Sequence, residues 1–337
     1  MSTPRDDGFA ATPEWAPHAR CWMAWPCRAA AGVGLEGLRR IYAEVAQAIV
    51  RFEPVTVIAR PELVATASLQ CGPGITVRPM PQDDGRIRDV GPSFLTDGRG
   101  ALAGVAWKFN GWGELHPDHG QDAQLARRLL EHVGARCYDG PIVLEGGAVA
   151  VDGEGTCLAG AAVVLDPRRN PGLTREEAER ALQQMLGVER VIWIPHGLAD
   201  AEAGGQLASV VRFARPGTVL ALATDDRSDA NFDRLAENLD VLRAATDARS
   251  RQLEVITLAQ PRPQKGRDGR RLVASHLDCC LVNGAVIVPG FGDATDGAAC
   301  RMLAQVWPER EIVQIDALEL AEAGIGLHAV TLPQPVT

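Results

Sequence analysis

With 337 residues, 46% hydrophobic and 23% charged, the chain has the make-up of an ordinary globular protein and can bury a sizeable core. A formal net charge of −9 disfavours a nucleic-acid backbone or an anionic membrane surface as partner, since both attract basic faces, and it is compatible with a cationic small molecule. No apolar run approaches the roughly 20 residues that span a bilayer, and residues 1–11 lack the apolar stretch of a signal peptide. Eight cysteines occur without zinc spacing and without a secretory context for disulfides, so a cytoplasmic protein with reduced thiols is expected.

Residues 35–52 space Leu38, Ile41, Val45 and Ile49 at helical period and predict a helix with one apolar face. Val55–Ala59 follows as a buried strand, closed by Arg60-Pro61, and Gly72-Pro73-Gly74 reads as a turn. Thr174 with Glu177 forms a capping box that opens a helix ending near Gly187. Strands are predicted at Arg190–Ile194 and Thr218–Ala223, and a helix over 229–248 with Phe232, Leu235, Leu239 and Leu242 along one side. Further strands fall at 253–258, 281–288 and 311–315, with Pro289-Gly290 as a turn. A few strands and then a helix return roughly every sixty residues without a literal sequence repeat. No linker divides the chain, so residues 1–337 are expected to form a single α/β domain.

Four segments place glycine beside polar or aromatic residues at strand ends, where function concentrates. Asp89, in Arg88-Asp89-Val90-Gly91-Pro92, either caps a turn or meets a ligand. Trp107 and Trp112 with Phe109 either pack in the core or wall a site for a flat cation. Glu145, between an apolar strand and Gly146-Gly147, requires a partner if buried: either an arginine of the chain or a ligand guanidinium, whose planar fork matches a carboxylate. His328, in the glycine-rich stretch from Gly324 to Thr331, is either a satisfied core residue or a proton carrier.

Together these segments resemble the agmatine deiminases, relatives of the bacterial peptidyl-arginine deiminases. Glu14-Trp15-Ala16-Pro17-His18 and Trp22-Met23-Ala24-Trp25-Pro26 resemble the family's opening. Arg88 to Pro92 matches its RDxGP, Trp107 to Gly113 its WxFNxWG, Leu144 to Gly147 its LEGG, and Gly324 to Pro335 its GGGxHCxTxxxP. Asn170 to Thr174, Asn283-Gly284 with Val286 to Pro289, and Pro308 to Arg310 fit in the same order, so nearly the whole chain is covered. The resemblance implies a pentein α/β-propeller of five ββαβ units about a pseudo-fivefold axis, with the site at its centre. It implies hydrolysis of agmatine to N-carbamoylputrescine and ammonia, a step of putrescine biosynthesis, without metal or cofactor and usually as a homodimer. In the family a cysteine thiolate attacks the guanidinium carbon, two carboxylates align the substrate, and a histidine moves protons.

Three of those chemical positions are changed. Ala329 stands where the nucleophilic cysteine follows the histidine, and its methyl group cannot attack. In Gly205-Gln206-Leu207-Ala208, Gln206 replaces the proton-carrying histidine of GHxD and Ala208 its carboxylate. The flanking Gly205, Arg212-Phe213, Gly326-Leu327-His328 and Thr331 hold the register without a gap. A laboratory cysteine-to-alanine change would account for Ala329 but not for Gln206 and Ala208. Asp89 and Glu145 remain, and the resemblance adds Asn110, Trp112 and Trp25 to the binding residues. Cys279 and Cys280, after His276-Leu277-Asp278, replace a segment that the family reads close to SYxNF; they form either a new Cys/His/Asp set or a strand with two small core residues.

The expected protein is therefore a degenerate agmatine-deiminase-like member. It would bind a small guanidine or amine, or a partner chain, as a homodimer or as a heteromer with an active paralogue. The alternative is a hydrolase of the same lineage on agmatine or another guanidine, with water activated between Asp89, Glu145 and His328 or a different thiol.

Overall fold

The computed structural model describes residues 2–30, 32–199, 201 and 204–337. Its strands form five sheets that share one local order: two antiparallel strands, a helix, then a strand parallel to the second. The first full unit runs Ser93–Thr96, Leu102–Lys108, helix Leu125–His132 and Arg136–Val143. The second runs Val149–Val151, Thr156–Gly160, helix Arg175–Leu186 and Arg190–Ile194. The third is Val211–Arg215, Thr218–Ala223, helix Phe232–Ala244 and Glu254–Ala259. In the fourth, Cys280–Val282 and Ala285–Gly290 precede helix Asp296–Val306 and Glu311–Asp316. The fifth is split across the chain ends. Leu332–Pro335 pairs antiparallel with His18–Ala24, which leads through helix Leu35–Ile49 to Val55–Ala59 and a further parallel strand, Ile75–Pro79. This is the ββαβ plan of a pentein α/β fold.

Local sequence explains these elements. Thr174 Oγ1 accepts from the Glu177 backbone N–H at 3.2 Å, and the Glu177 carboxylate accepts from the Thr174 N–H at 2.9 Å, which closes the predicted capping box. The helix stops at Gly187, whose φ of 68° is left-handed and open to glycine at little cost. Leu38, Ile41, Val45 and Ile49 are all buried and share a core with Met23, Val55 and Val57 of the adjoining strands. The predicted strand over 281–288 is two strands. Asn283-Gly284 turns the chain between them, with Gly284 at φ 76°, so the apolar run is a hairpin. The helix predicted over 229–248 is shorter, Phe232–Ala244.

Just ahead of the first strand of each unit lies a short turn: Ile87–Val90, Gly146–Ala148, Leu207–Ser209, residues 275–278, and His328–Val330. The turn at Ile87–Val90 packs on those at Gly146–Ala148 and His328–Val330, and Gly146–Ala148 packs on Leu207–Ser209. The His328 backbone N–H donates to the Asp278 carbonyl at 3.2 Å, which joins the remaining turn. The fold thus converges five equivalent turns on one place. Among the described residues, no helix is long and apolar enough to cross a membrane.

Candidate functional site

These turns line a cavity of about 510 Å³, with Asp89, Gly147, Gln206, Asp278 and Ala329 at its surface, one or more from each unit. A cavity of this size suits a small organic ligand.

Asp89 is buried and already engaged. Its Oδ2 accepts from the Trp112 indole N–H at 3.0 Å and from Gln206 Nε2 at 3.4 Å, and its Oδ1 accepts from the Gly147 N–H at 3.3 Å. Burial raises its carboxyl above the usual range against these donors. The guanidinium of Arg86 lies 3.5 Å from the centre of the Trp112 ring. Arg86 is clamped there by Asp84, to which its Nε and Nη2 donate at 2.8 and 2.9 Å. Arg28 holds the same carboxylate through Nε and Nη2 at 3.1 and 2.9 Å. Burial opposes ionisation of Asp84, but Arg86 and Arg28 hold its carboxyl far below the ordinary value.

Asp278 lies on the opposite part of the wall. Its Oδ1 accepts from the His328 backbone N–H at 3.3 Å, and burial pushes its carboxyl up to about 7. Gly326 is there for space: a Cβ at that position would lie 1.6 Å from Asp278 Oδ2. Gly326→Ala must therefore displace the carboxylate, and a loss of about 1–3 kcal/mol is expected from overpacking, read as a lower urea midpoint at constant slope. An unchanged midpoint would mean that the Asp278 side chain moves aside freely.

Behind the cavity, Glu14 gathers three basic groups. Its Oε1 meets Arg88 Nη1 at 2.9 Å and His328 Nε2 at 2.5 Å, and its Oε2 meets Arg212 Nη2 at 2.6 Å. Burial would raise the Glu14 carboxyl, but His328, Arg88 and Arg212 hold it well below the usual carboxylate range. Burial, and then the charge of Arg88, push the His328 imidazole down to about 4, so near neutral pH it is uncharged and donates from Nε2 to Glu14.

The residues expected from sequence separate into two groups. Asp89, Trp112, Gln206, Ala208, His328 and Ala329 all line the cavity. Glu145 does not; it is wholly buried beside Arg169, whose Nε donates to it at 2.7 Å, so the partner that its position demanded is an arginine of the chain. Water held between Asp89, Glu145 and His328 therefore has no common space. Asn110 braces the left-handed turn that follows it, its Oδ1 accepting from the Gly113 N–H at 3.0 Å and its Nδ2 donating to the Arg168 carbonyl at 2.9 Å. Trp25 is core, 1% exposed, and does not line the cavity. Aromatic bulk there fills space between strand and helix rather than facing a ligand.

None of the eight cysteines lines the cavity. Cys279 and Cys280 are buried core residues, Cys280 Sγ donating to the Leu327 carbonyl at 3.2 Å, and burial raises both thiols. His276, the histidine beside them, pairs instead with Asp296 through Nε2 at 2.8 Å. Sequence reasoning passed over Arg86 and Asp84, and weighed Asp278 only beside the two thiols. The signal was position: all three sit in, or shortly before, a turn that opens a ββαβ unit, as Asp89 and Ala329 do.

The profile of the Porphyromonas-type peptidyl-arginine deiminase family matches residues 10–335. The agmatine deiminase of Stutzerimonas stutzeri is 40% identical over 359 residues, covering 99% of this chain and 97% of the relative. That of Pseudomonas aeruginosa is 38% identical over 358 residues, with 99% and 97% covered. The solved agmatine deiminase of Enterococcus faecalis superposes with a TM-score of 0.96 at 32% identity, covering 100% of this chain and 98% of that one. With its five ββαβ units and the cavity where their turns meet, this chain belongs to the agmatine deiminase family of bacterial peptidyl-arginine-deiminase-type proteins.

Proposed function

We propose that this chain is a non-hydrolysing member of its family, binding a small amine or guanidine, or a partner chain, without cysteine chemistry. One observation carries the reading: the cavity position that the resemblance assigns to the nucleophile is the methyl group of Ala329, and no thiol lines the cavity. Ser209 lines it too, but among the described residues no base is hydrogen-bonded to its hydroxyl, and an unactivated serine is a weak nucleophile. The His328 imidazole is occupied by Glu14. Assembly with a second copy, or with an active paralogue that the chain regulates, accords with this reading.

Incubation of the pure chain with agmatine, followed by ammonia and N-carbamoylputrescine, tests it. No release above background is expected; turnover at an ordinary rate of ~1 s⁻¹ or more would overturn the reading. The second reading, a hydrolase with repurposed residues, is favoured by Asp278, a cavity carboxyl that burial pushes up to about 7, into the acid–base range. It requires turnover that survives thiol alkylation and is lost in Asp278→Asn.

A further inference from the structure

We propose that the cavity is a primary-ammonium site anchored by Asp278, and that Arg86 excludes guanidinium from it. This rests on the ligand-binding reading above and names its ligand class. A guanidinium is recognised by a flat aromatic face and by carboxylates that offer both oxygens to its planar fork. Neither is on offer here. The Trp112 indole has no exposed surface: Arg86 covers one face at 3.5 Å, and Phe109 and His116 pack edge-on at 4.8 and 5.2 Å between ring centres. Two hydrogen bonds to Asp84, itself gripped by Arg28, hold Arg86 in place, so the resident guanidinium is not free to swing aside. Glu145 is paired with Arg169 and does not line the cavity.

What the cavity does offer is acceptors. Among the described residues, Asp278 Oδ2 has no hydrogen-bonding partner, although the residue is only 9% exposed and lines the cavity. Gln206 Oε1 is buried and likewise without a partner. It and Asp89 Oδ1 both lie 3.0 Å from the point where a Cβ of Gly147 would stand, so the two oxygens converge over that glycine. An alkylammonium carries three N–H donors in a compact head and needs no flat face. The carboxylate of Asp278 meets that pattern, and Gln206 and Asp89 line the same cavity. Arg86 already offsets the charge of Asp89, and the cavity's Asp84, Asp268 and Glu322 are ion-paired with arginines, which leaves Asp278 as the carboxylate that a ligand cation would neutralise. Burial raises Asp278 more than Arg212 and Arg88 lower it, and neither arginine is ion-paired with it; a bound ammonium would supply a direct counterion.

Calorimetric titration of the full chain with n-butylamine and with n-butylguanidine decides the matter. Butylamine is expected to bind at least about tenfold more tightly than butylguanidine, and Asp278→Asn, an isosteric change, to weaken butylamine by about tenfold or more. Arg86→Met, which uncovers the indole, is expected to raise butylguanidine affinity. Equal or tighter binding of butylguanidine by the unaltered chain would overturn the proposal, as would butylamine affinity unchanged in Asp278→Asn, or no butylamine binding at millimolar concentration. Ammonia measured in the butylguanidine samples separates the two failures: turnover sinks the non-hydrolysing reading, whereas guanidine preference without turnover sinks only the ammonium site.

Discussion

Ala329→Cys is expected to leave agmatine intact, with ammonia release at least about 100-fold below an ordinary rate of ~1 s⁻¹. A thiol alone is insufficient, because a free cysteine is only a few per cent thiolate near pH 7 and needs a neighbouring base or cation to activate it. The imidazole beside it, His328, donates to Glu14 and is pushed down to about 4 by burial and Arg88, so it carries no charge to favour a thiolate. Gln206 accepts no useful proton, and Ala208 offers no oxygen to fix a guanidinium in line with the sulfur. Combining Ala329→Cys with Gln206→His, Ala208→Asp and Arg86→Met supplies a proton carrier and a carboxylate and uncovers the indole. That combination is expected to exceed the single variant by ~100-fold or more, since a positioned acid–base group contributes about 10²–10⁴. A single variant that reached ~1 s⁻¹ would show that Gln206 and Ala208 are no obstacle.

Arg169→Met is expected to cost about 3–5 kcal/mol of stability, because it leaves a buried acid without its charge partner in the interior. The side chains of Arg169 and Glu145 have no exposed surface, and the pair is linked at 2.7 Å, with Arg169 Nη1 also held by Asp166 Oδ2 at 2.8 Å. Burial already pushes the Glu145 carboxyl up to about 7 against the pull of Arg169, and loss of Arg169 raises it further. An acid raised in the folded state binds its proton more tightly there than in the unfolded chain. Stability is then fullest below the unfolded value near 4.5 and is lost as pH rises to the folded value, above which it no longer changes. The penalty in Arg169→Met should therefore be larger at pH 8 than at pH 5, measured by urea unfolding at both. Adding Glu145→Leu removes the stranded charge and should recover much of the loss; a penalty independent of pH would assign the effect to packing instead.

Local chemistry was the legible part of this chain. The capping box at Thr174 and Glu177, the left-handed stop at Gly187 and the apolar face of helix Leu35–Ile49 depend on neighbours within a few residues, and each stands where the sequence put it. The hairpin at Asn283-Gly284 was read as one strand although the Asn-Gly pair that interrupts the apolar residues is itself a turn signal. Asp89 and Trp112 could be assigned to the site through the family resemblance, but the competition for them could not. Arg86 covers Trp112 only because the chain turns back at Asp84, and Arg169 reaches Glu145 from 24 positions away. Charge pairing between distant segments leaves no periodic trace. Trp25 and Asn110 matched motifs for reasons of packing and of bracing a turn, so a matching residue type did not separate support from contact.

The strand Leu332–Pro335 completes the sheet begun by His18–Ala24, and the Trp22 indole N–H donates to the Gln334 side chain 312 positions later. At ribosomal speeds of about 5–20 residues per second, the early strand waits some fifteen seconds to a minute for its neighbour. Until then its edge is open to other chains, a template for mispairing that chaperones would have to shield. The cavity itself cannot form on the nascent polypeptide until the turn bearing Ala329 has been made, since that turn supplies part of its wall.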